Sequence, residues 1–429
     1  MQKMNKNSRR RAPKTLLSAV VLPILAMLPL ATYAVDFTWS GFGTLGYAQS
    51  DQSANYQRFI NNNGSFKRDS ILGAQLDARF SPQWGATVQA KLAPSDHSDS
   101  AYQASMAWAF VSWRPTDDWL IRAGKIRLPL MLNTENNDVG ATFDFARLPQ
   151  EVYSISPMTD VVGLGVSKTW VGESVDWMLE AYTGTAKTYW RFYGREKTTE
   201  QASPGSFFLP INVRSTGAVM TVRSIDNTFR IGYHEVRASR DGAKIGAPII
   251  EVPLGGGRVA FNVGAGGSDQ ITVPVFTLGA SFVLPADIRL TSEYAKIRVD
   301  SVSDGLSRWG TYLALSKRLG AWTPYVYFAK MKSTDSSLEK YRRINGNNLP
   351  PPFSALNSSQ KLLADIVDPF DQTTTALGTS YRLTPASLIK AEVSQVRTGD
   401  VSSFIDAPSG GDSAHKRLDV FSLSYSFIF

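Results

Sequence analysis

The 429-residue sequence has no cysteine and only three histidines, His97, His234 and His415. Without cysteine no disulfide can staple the chain, which excludes a small cross-linked scaffold. The histidines are widely spaced, with no H-x-x-H and no neighbouring thiol, so no metal or other cofactor is expected. A G-x-S-x-G elbow is also missing. Past residue 34 no apolar run approaches the ~18 residues of a membrane-spanning helix, which excludes a helical membrane protein.

Acidic residues are absent from the first 34 positions. Lys3, Lys6, Arg9, Arg10, Arg11 and Lys14 form a basic start, "LLSAVVLPILAMLPL" (16–30) is a short apolar stretch interrupted by Pro23 and Pro29, and "ATYA" ends at Ala34. This is the pattern of a secretory signal peptide, 1–34, with cleavage after Ala34. Its six basic residues leave with it, so the remaining chain carries 39 Lys+Arg against 37 Asp+Glu, a net +2. The high pI of the whole chain therefore gives no reason to expect nucleic-acid binding.

What the chain does have is alternation. In "SILGAQLDARF" Leu72, Ala74, Leu76, Ala78 and Phe80 oppose Gly73, Gln75, Asp77 and Arg79. "WGATVQAKL" and "SVDWMLEAYTG" read the same way, with hydrocarbon on one face and charge on the other. Sixteen such segments can be counted: 36–49, 68–81, 84–94, 102–114, 118–126, 160–171, 174–184, 214–225, 227–240, 271–284, 287–299, 308–319, 321–333, 371–383, 386–397 and 416–429. Tight turns at 81–83, 115–117, 171–174, 225–227, 284–287, 319–321 and 384–386 alternate with long loops at 50–67, 95–101, 127–159, 185–213, 241–270, 300–307, 334–370 and 398–415. An all-β fold follows, a closed antiparallel transmembrane β-barrel of about 16 strands over 35–429 with short periplasmic turns and long extracellular loops. Closure is what lipid demands, because every backbone N–H and C=O must be paired without an edge. Tryptophans such as Trp84, Trp113, Trp119, Trp170, Trp177 and Trp322 are expected to form interfacial girdles.

Placing Arg or Lys on the lipid face costs ~2–4 kcal/mol near the midplane. Arg79, Lys91, Arg223, Arg230, Arg289, Arg318 and Lys390 are therefore assigned to the inner wall, together with Asp77, Asp176, Glu180, Asp287, Glu293 and Glu392. Loop 127–159 is long, proline-stiffened and partly apolar, and it is expected to fold inward as a constriction. Arg122, Lys125, Arg127 and Arg147 would form the anion-attracting side of that constriction, opposed by Glu135, Asp138 and Asp144. Charges in a narrow passage set ion preference, and the slight basic excess suggests a weak preference for anions. "GFGTLG" (41–46) matches G-x-G-x-x-G, but no helix pattern follows it. Its glycines are read as relief of crowding in the first strand rather than a nucleotide site.

The exported precursor, the sixteen-segment meander and the closing "RLDVFSLSYSFIF", with aromatic residues alternating against serines and Phe429 last, together resemble a Gram-negative outer-membrane porin. "WLIRAGKIRLPLMLNTENNDVGATFDFARLPQEVY" (119–153) is similar to a passage of the phosphate-selective and dicarboxylate-type (DcaP-like) porins, although the dense loop cations of a dedicated phosphate pore are missing. The resemblance implies a homotrimer in outer-membrane lipid and passive diffusion of small hydrophilic solutes and ions. It also implies no enzymatic activity and recognition of Phe429 by the barrel-assembly machinery. Two other readings stay open on the residues: a non-conducting barrel acting as an adhesin or receptor through loops such as "EKYRRINGNNLPPPF" (339–353), and a barrel enzyme whose Ser/His/Asp groups meet only in space.

Overall fold

A computed structural model describes residues 35–156, 158–198, 203–299 and 306–429. The leader expected at 1–34 and most of the loop at 300–307 lie outside the described residues. The wall strands are β1 (Asp36–Ser50), β2 (Ile71–Arg79), β3 (Trp84–Pro94), β4 (Tyr102–Trp113), β5 (Trp119–Arg127), β6 (Asp160–Trp170), β7 (Asp176–Gly194), β8 (Gly205–Arg223) and β9 (Thr228–Ser239). After a small hairpin of β10 (Ile249–Gly255) and β11 (Arg258–Val263), the wall continues with β12 (Gln270–Leu284), β13 (Ile288–Ile297), β14 (Arg308–Lys317), β15 (Trp322–Ser333), β16 (Phe370–Thr384), β17 (Ser387–Ser402) and β18 (Arg417–Ile428).

All sixteen wall strands join antiparallel neighbours into one closed barrel, and the β10–β11 hairpin stands apart from it. The ring closes between β1 and β18, where Gly43 faces Phe427 and Leu45 faces Tyr425. The last residue takes part: Phe429 N–H donates to Gly41 O at 3.0 Å and Gly41 N–H to Phe429 O at 2.8 Å. The rings of Phe429 and Phe427 lie directly over Gly41 and Gly43, so a Cβ at either position would collide with them. Two of the three glycines of "GFGTLG" thus make room for the closing strand's aromatics, while the third, Gly46, makes room for Asp69.

Outside, the alternating apolar side chains stand exposed, among them Leu72, Val88, Leu164, Leu313, Phe328 and Leu377. Trp84 and Trp113 stack at 5.7 Å at the short-turn ends of β3 and β4. Inside, the wall is polar in places and apolar in others, and a hydrophobic cluster joins inward residues such as Tyr182, Val275, Tyr312 and Met331 to residues of the β5–β6 connection.

Three long connections differ from the expected plain loops. The region 185–213 is mostly wall, because β7 and β8 stay paired from Asp176–Arg223 out to Gly194–Gly205. Its alternation is broken by aromatic residues on both faces, which hid it. The 241–270 connection contains the β10–β11 hairpin. The β5–β6 connection holds the single-turn α1 (Gln150–Tyr153), and the 334–370 connection contains two helices, α2 (Asp335–Asn345) and α3 (Asn357–Ile366). In α2, Thr334 caps the start and Leu338, Tyr341 and Ile344 form one buried stripe. This stripe packs with Leu363, Ala364 and Val367 of the α3 region and with Phe261 of β11 in a separate small core.

Candidate functional site

The β5–β6 connection is where the chain leaves the wall. Pairing of β5 with β4 stops at Lys125–Ala109, whereas pairing with β6 continues to Arg127–Asp160. Gly124 sits at this divergence with φ of 132°, a backbone region that strongly favours glycine. From there Leu128, Leu130, Met131, Phe145, Leu148 and Val152 are buried in the cluster that includes inward wall residues. The segment includes a single helical turn at Gln150–Tyr153.

Polar anchors fix it around much of the inner circumference. Leu132 N–H donates to Glu293 Oε2 of β13 at 2.7 Å, and the hydroxyls of Tyr153 and Tyr312 donate to Glu293 Oε1 at 2.6 and 2.7 Å. Ala146 N–H donates to the Tyr325 hydroxyl at 2.8 Å, which in turn donates to Glu392 Oε2 at 2.8 Å. Lys390 donates to the carbonyls of Gly140 and Phe145, and its ammonium lies 4.1 Å from the Phe143 ring centroid. Arg230 donates to Met131 O at 2.8 Å and pairs with Glu180 at 2.8 Å. Glu151, 2 % exposed, accepts from Gln372 at 2.7 Å and from Thr374.

The residues assigned from sequence to a charged aperture therefore sit in a different arrangement. Arg122 and Glu135, expected on opposing sides, pair directly at 3.6 Å. Asp138 pairs with both Lys91, at 2.7 Å, and Arg127, at 2.5 Å. Arg127 is 2 % exposed and out of reach of a solute. Arg147 grips Asp69 through Nε at 2.9 Å and Nη2 at 2.5 Å, and Asp144 accepts from Ser380 at 2.5 Å. The reason is energetic: a charge withdrawn from water must find a partner, and an unpaired one costs several kcal/mol. Lys125 takes the outer face of β5, in the alternation of Trp119, Ile121 and Ala123, and pairs with Asp160 at 3.0 Å. Arg318 is exposed in the turn after β14 rather than on the wall. Arg79 is exposed at the short-turn end of β2.

Electrostatics follow the same pairings. Burial pushes the Asp138 carboxyl up, but Lys91 and Arg127 outweigh it and hold it at about 2. Burial likewise opposes ionisation of Asp69, and Arg147 overcomes it, holding Asp69 below the usual carboxylate range. For Arg68, burial draws the guanidinium down to about 10, so it stays charged at neutral pH.

Two cavities flank the inward segment. The outer, of about 490 Å³, is bordered by Arg58, Arg68, Arg147 and Lys390 and by the acids Asp69 and Asp138. The inner, of about 250 Å³ toward the short-turn end, is bordered by Arg223, Arg230 and Arg289 and by Asp144. Phe143 borders both. Arg58 and Arg68 were not singled out from sequence, because loop residues carry no alternation to mark which way they point. His234 is fully buried, with Nδ1 2.9 Å from the Tyr182 hydroxyl. A Ser–His–Asp grouping occurs at Ser95, His97 and Asp96, but both partners approach the same ring nitrogen, Nδ1, which is not the relay of a hydrolase. Among the described residues no group of three or more His, Cys, Asp and Glu could hold a metal ion.

A closed sixteen-stranded antiparallel wall, short turns at one end, long loops at the other and one loop turned inward define the porin-type outer-membrane barrel fold. Solved structures with this fold match nearly the whole chain. They include OmpT of Vibrio cholerae in its trimer form (10 % identity, 92 % of this chain, 100 % of that one, TM-score 0.51) and the outer-membrane channel DcaP of Acinetobacter baumannii (11 %, 92 % and 98 %, 0.51). The anion-selective porin from Comamonas acidovorans is equally similar (11 %, 92 % and 100 %, 0.51). At such identities the likeness is one of fold, and the DcaP-like subgroup is not singled out by it. No family model matches the sequence, and no curated protein sequence does either.

Proposed function

We propose that the protein is an outer-membrane porin, a passive route for small hydrophilic solutes that favours anions. The observation that carries the reading is the charge on either side of the inward loop. The outer cavity has four cations against two carboxylates and the inner one three against one. Fields in a low-dielectric passage raise the local concentration of the opposite ion. Selectivity rests on Arg68, Arg223 and Arg289, which border the cavities without a carboxylate ion pair among the described residues. The deeply paired Arg127 holds the loop instead. Phe143, between the two cavities, sets the passage width. An outer-membrane channel and an anion-selective porin among the structural neighbours support the same direction.

In this reading the leader is removed after Ala34, the barrel sits in outer-membrane lipid as a homotrimer, and Phe429 at the β1–β18 seam serves as the assembly signal. Planar-bilayer recording of the refolded protein under a KCl gradient tests it. Stepwise conductance with an anion-selective reversal potential is expected. A folded barrel that never conducts would overturn the porin reading, and a cation-selective one would overturn the role given to the arginines.

A further inference from the structure

The outer face of the wall is largely hydrocarbon, but cations gather at two places on it: Lys296, Lys330 and Lys332 around Trp309 on β13–β15, where Lys332 pairs with Asp335 at 2.9 Å, and a tighter group on β7–β9. Arg214 of β8 and Arg237 of β9 are direct partners in register, and Lys187 of β7 lies diagonally beyond Arg214, opposite Asn212. Arg237 shares its strand face with Phe229, Ile231 and Tyr233, and all three cations are exposed. Like charges directly opposite one another on a sheet face are destabilising, yet both positions are arginine. Arg237 pairs with Glu235 at 2.7 Å. Among the described residues Arg214 and Lys187 have no carboxylate partner. Asp241 stands at its edge, accepting from Asn212 Nδ2 at 2.7 Å, so the cluster holds three cations against two carboxylates.

Its height is informative. Arg214 and Arg237 each lie nine residues from the short-turn ends of their strands, at Arg223 and Thr228. With ~3.3 Å per residue and a tilt of ~40°, that is about 23 Å along the barrel axis, at the upper rim of an apolar band about 25 Å tall. Thr185 and Thr272 flank the two arginines on the same rung. Below them Ala181 and Ala218 are opposite each other, with Tyr233 next to Ala218, leaving a shallow apolar bed one side chain wide.

We propose that Lys187, Arg214 and Arg237 bind the phosphate of a phosphorylated lipid headgroup in the outer leaflet, whose acyl chains lie on the alanine bed beneath. Two guanidinium forks suit a tetrahedral phosphate, and its negative charge relieves the repulsion that the arginine pair otherwise carries. The inference rests on the outer-membrane placement proposed above. It adds a lipid site on the outer wall that takes no part in conduction.

The test compares the full-length protein with the Lys187→Gln, Arg214→Gln, Arg237→Gln triple variant, both in neutral detergent micelles with added diphosphoryl lipid A. Retained lipid is counted by native mass spectrometry, and heat-modifiable migration on gels reports that each barrel is folded. The expected result is a loss of occupancy of roughly tenfold or more in the variant, with lipid-free thermal stability equal to or above that of the parent. Four outcomes would overturn the site. These are equal occupancy, equal retention by the parent of the dephosphorylated lipid, displacement by inorganic pyrophosphate at the lipid's own concentration, and a changed oligomeric mass of the variant without lipid, which would make the face a protein contact. Bilayer conductance of the same preparations separates the two readings. Lipid retention without conduction sinks the porin proposal alone, and conduction with unchanged lipid sinks this one alone.

Discussion

Two long connections of this chain bury apolar residues by opposite means. The β5–β6 segment folds into the barrel, where Asp138 pairs with Lys91 and Arg127, Arg147 with Asp69 and Glu135 with Arg122, while Glu151 and Asp144 are held by amide and hydroxyl donors. The cap made of β10, β11, α2 and α3 packs a second small core, which takes in Val401 at the end of β17, and leaves charges such as Glu339 in water. Enclosure inside the barrel removes the solvent that would otherwise satisfy a charge, so position there is specified by ion pairs as well as by apolar fit. In the cap an amphipathic stripe supplies most of the fit, and a single deeply buried pair, Arg195 with Asp365, ties it to the end of β7.

The comparison can be broken most forcefully at Asp138. Asp138→Ala leaves Arg127 buried without its carboxylate, a loss of about 3–5 kcal/mol of local stability. Hydrogen exchange across 128–146 should rise sharply while the barrel stays heat-modifiable; unchanged exchange would mean that the apolar cluster alone holds the segment. The same pair predicts a broad pH tolerance. Because the folded Asp138 carboxyl lies at about 2, below its usual value, the stability it contributes is present at neutral pH and is lost only as pH falls below 4 toward 2.

The cap should respond to pH in the other sense. Burial raises Asp365 to about 6 despite Arg195 at 3.2 Å. Between about pH 4 and 6 the folded cap therefore holds a proton that the unfolded chain does not. Cap stability should fall by about 3 kcal/mol as pH rises through this window and level off above it. Exchange of α3 amides, corrected for intrinsic rate, checks the sign, and Asp365→Asn should abolish the dependence.

Selectivity is expected to move least in free energy but most visibly in a recording. Arg223→Ala with Arg289→Ala, removing about one kT of potential from the inner cavity, should lower the anion-to-cation ratio roughly sevenfold. Truncating α2 and α3 should leave that ratio unchanged. A cap deletion that altered it would instead make the cap part of the passage.

The wall was legible in the sequence because a two-residue period with lipid on one side is a strong constraint. Segment 84–94 coincides with β3, and 160–171 differs from β6 by one residue. The helices of the cap were not read, since "EKYRRINGNNLPPPF" mixes a helical stripe with proline and asparagine that look like loop. The site was half legible. Arg122, Arg127, Glu135, Asp138, Arg147 and Lys91 were all named, but not which of them pair, and Asp69 was missed, because the pairing depends on strands and loops that meet only in the folded barrel. Lys125 failed for a simpler reason: it lies on the outer face, held by Asp160, where a charge near the rim escapes the penalty of the midplane.

The sequence by itself determined sixteen strands, the short turns between them, and which face of most strands is apolar, because these depend on local alternation and on the need to pair every backbone group in lipid. Only the tertiary structure decided that Arg122 pairs with Glu135 and Arg127 with Asp138, that Phe143 borders both basic cavities, and that Arg214 and Arg237 meet on the outer wall. Those outcomes depend on strand register and on a loop crossing the lumen, which bring together residues tens to hundreds of positions apart that no local pattern connects.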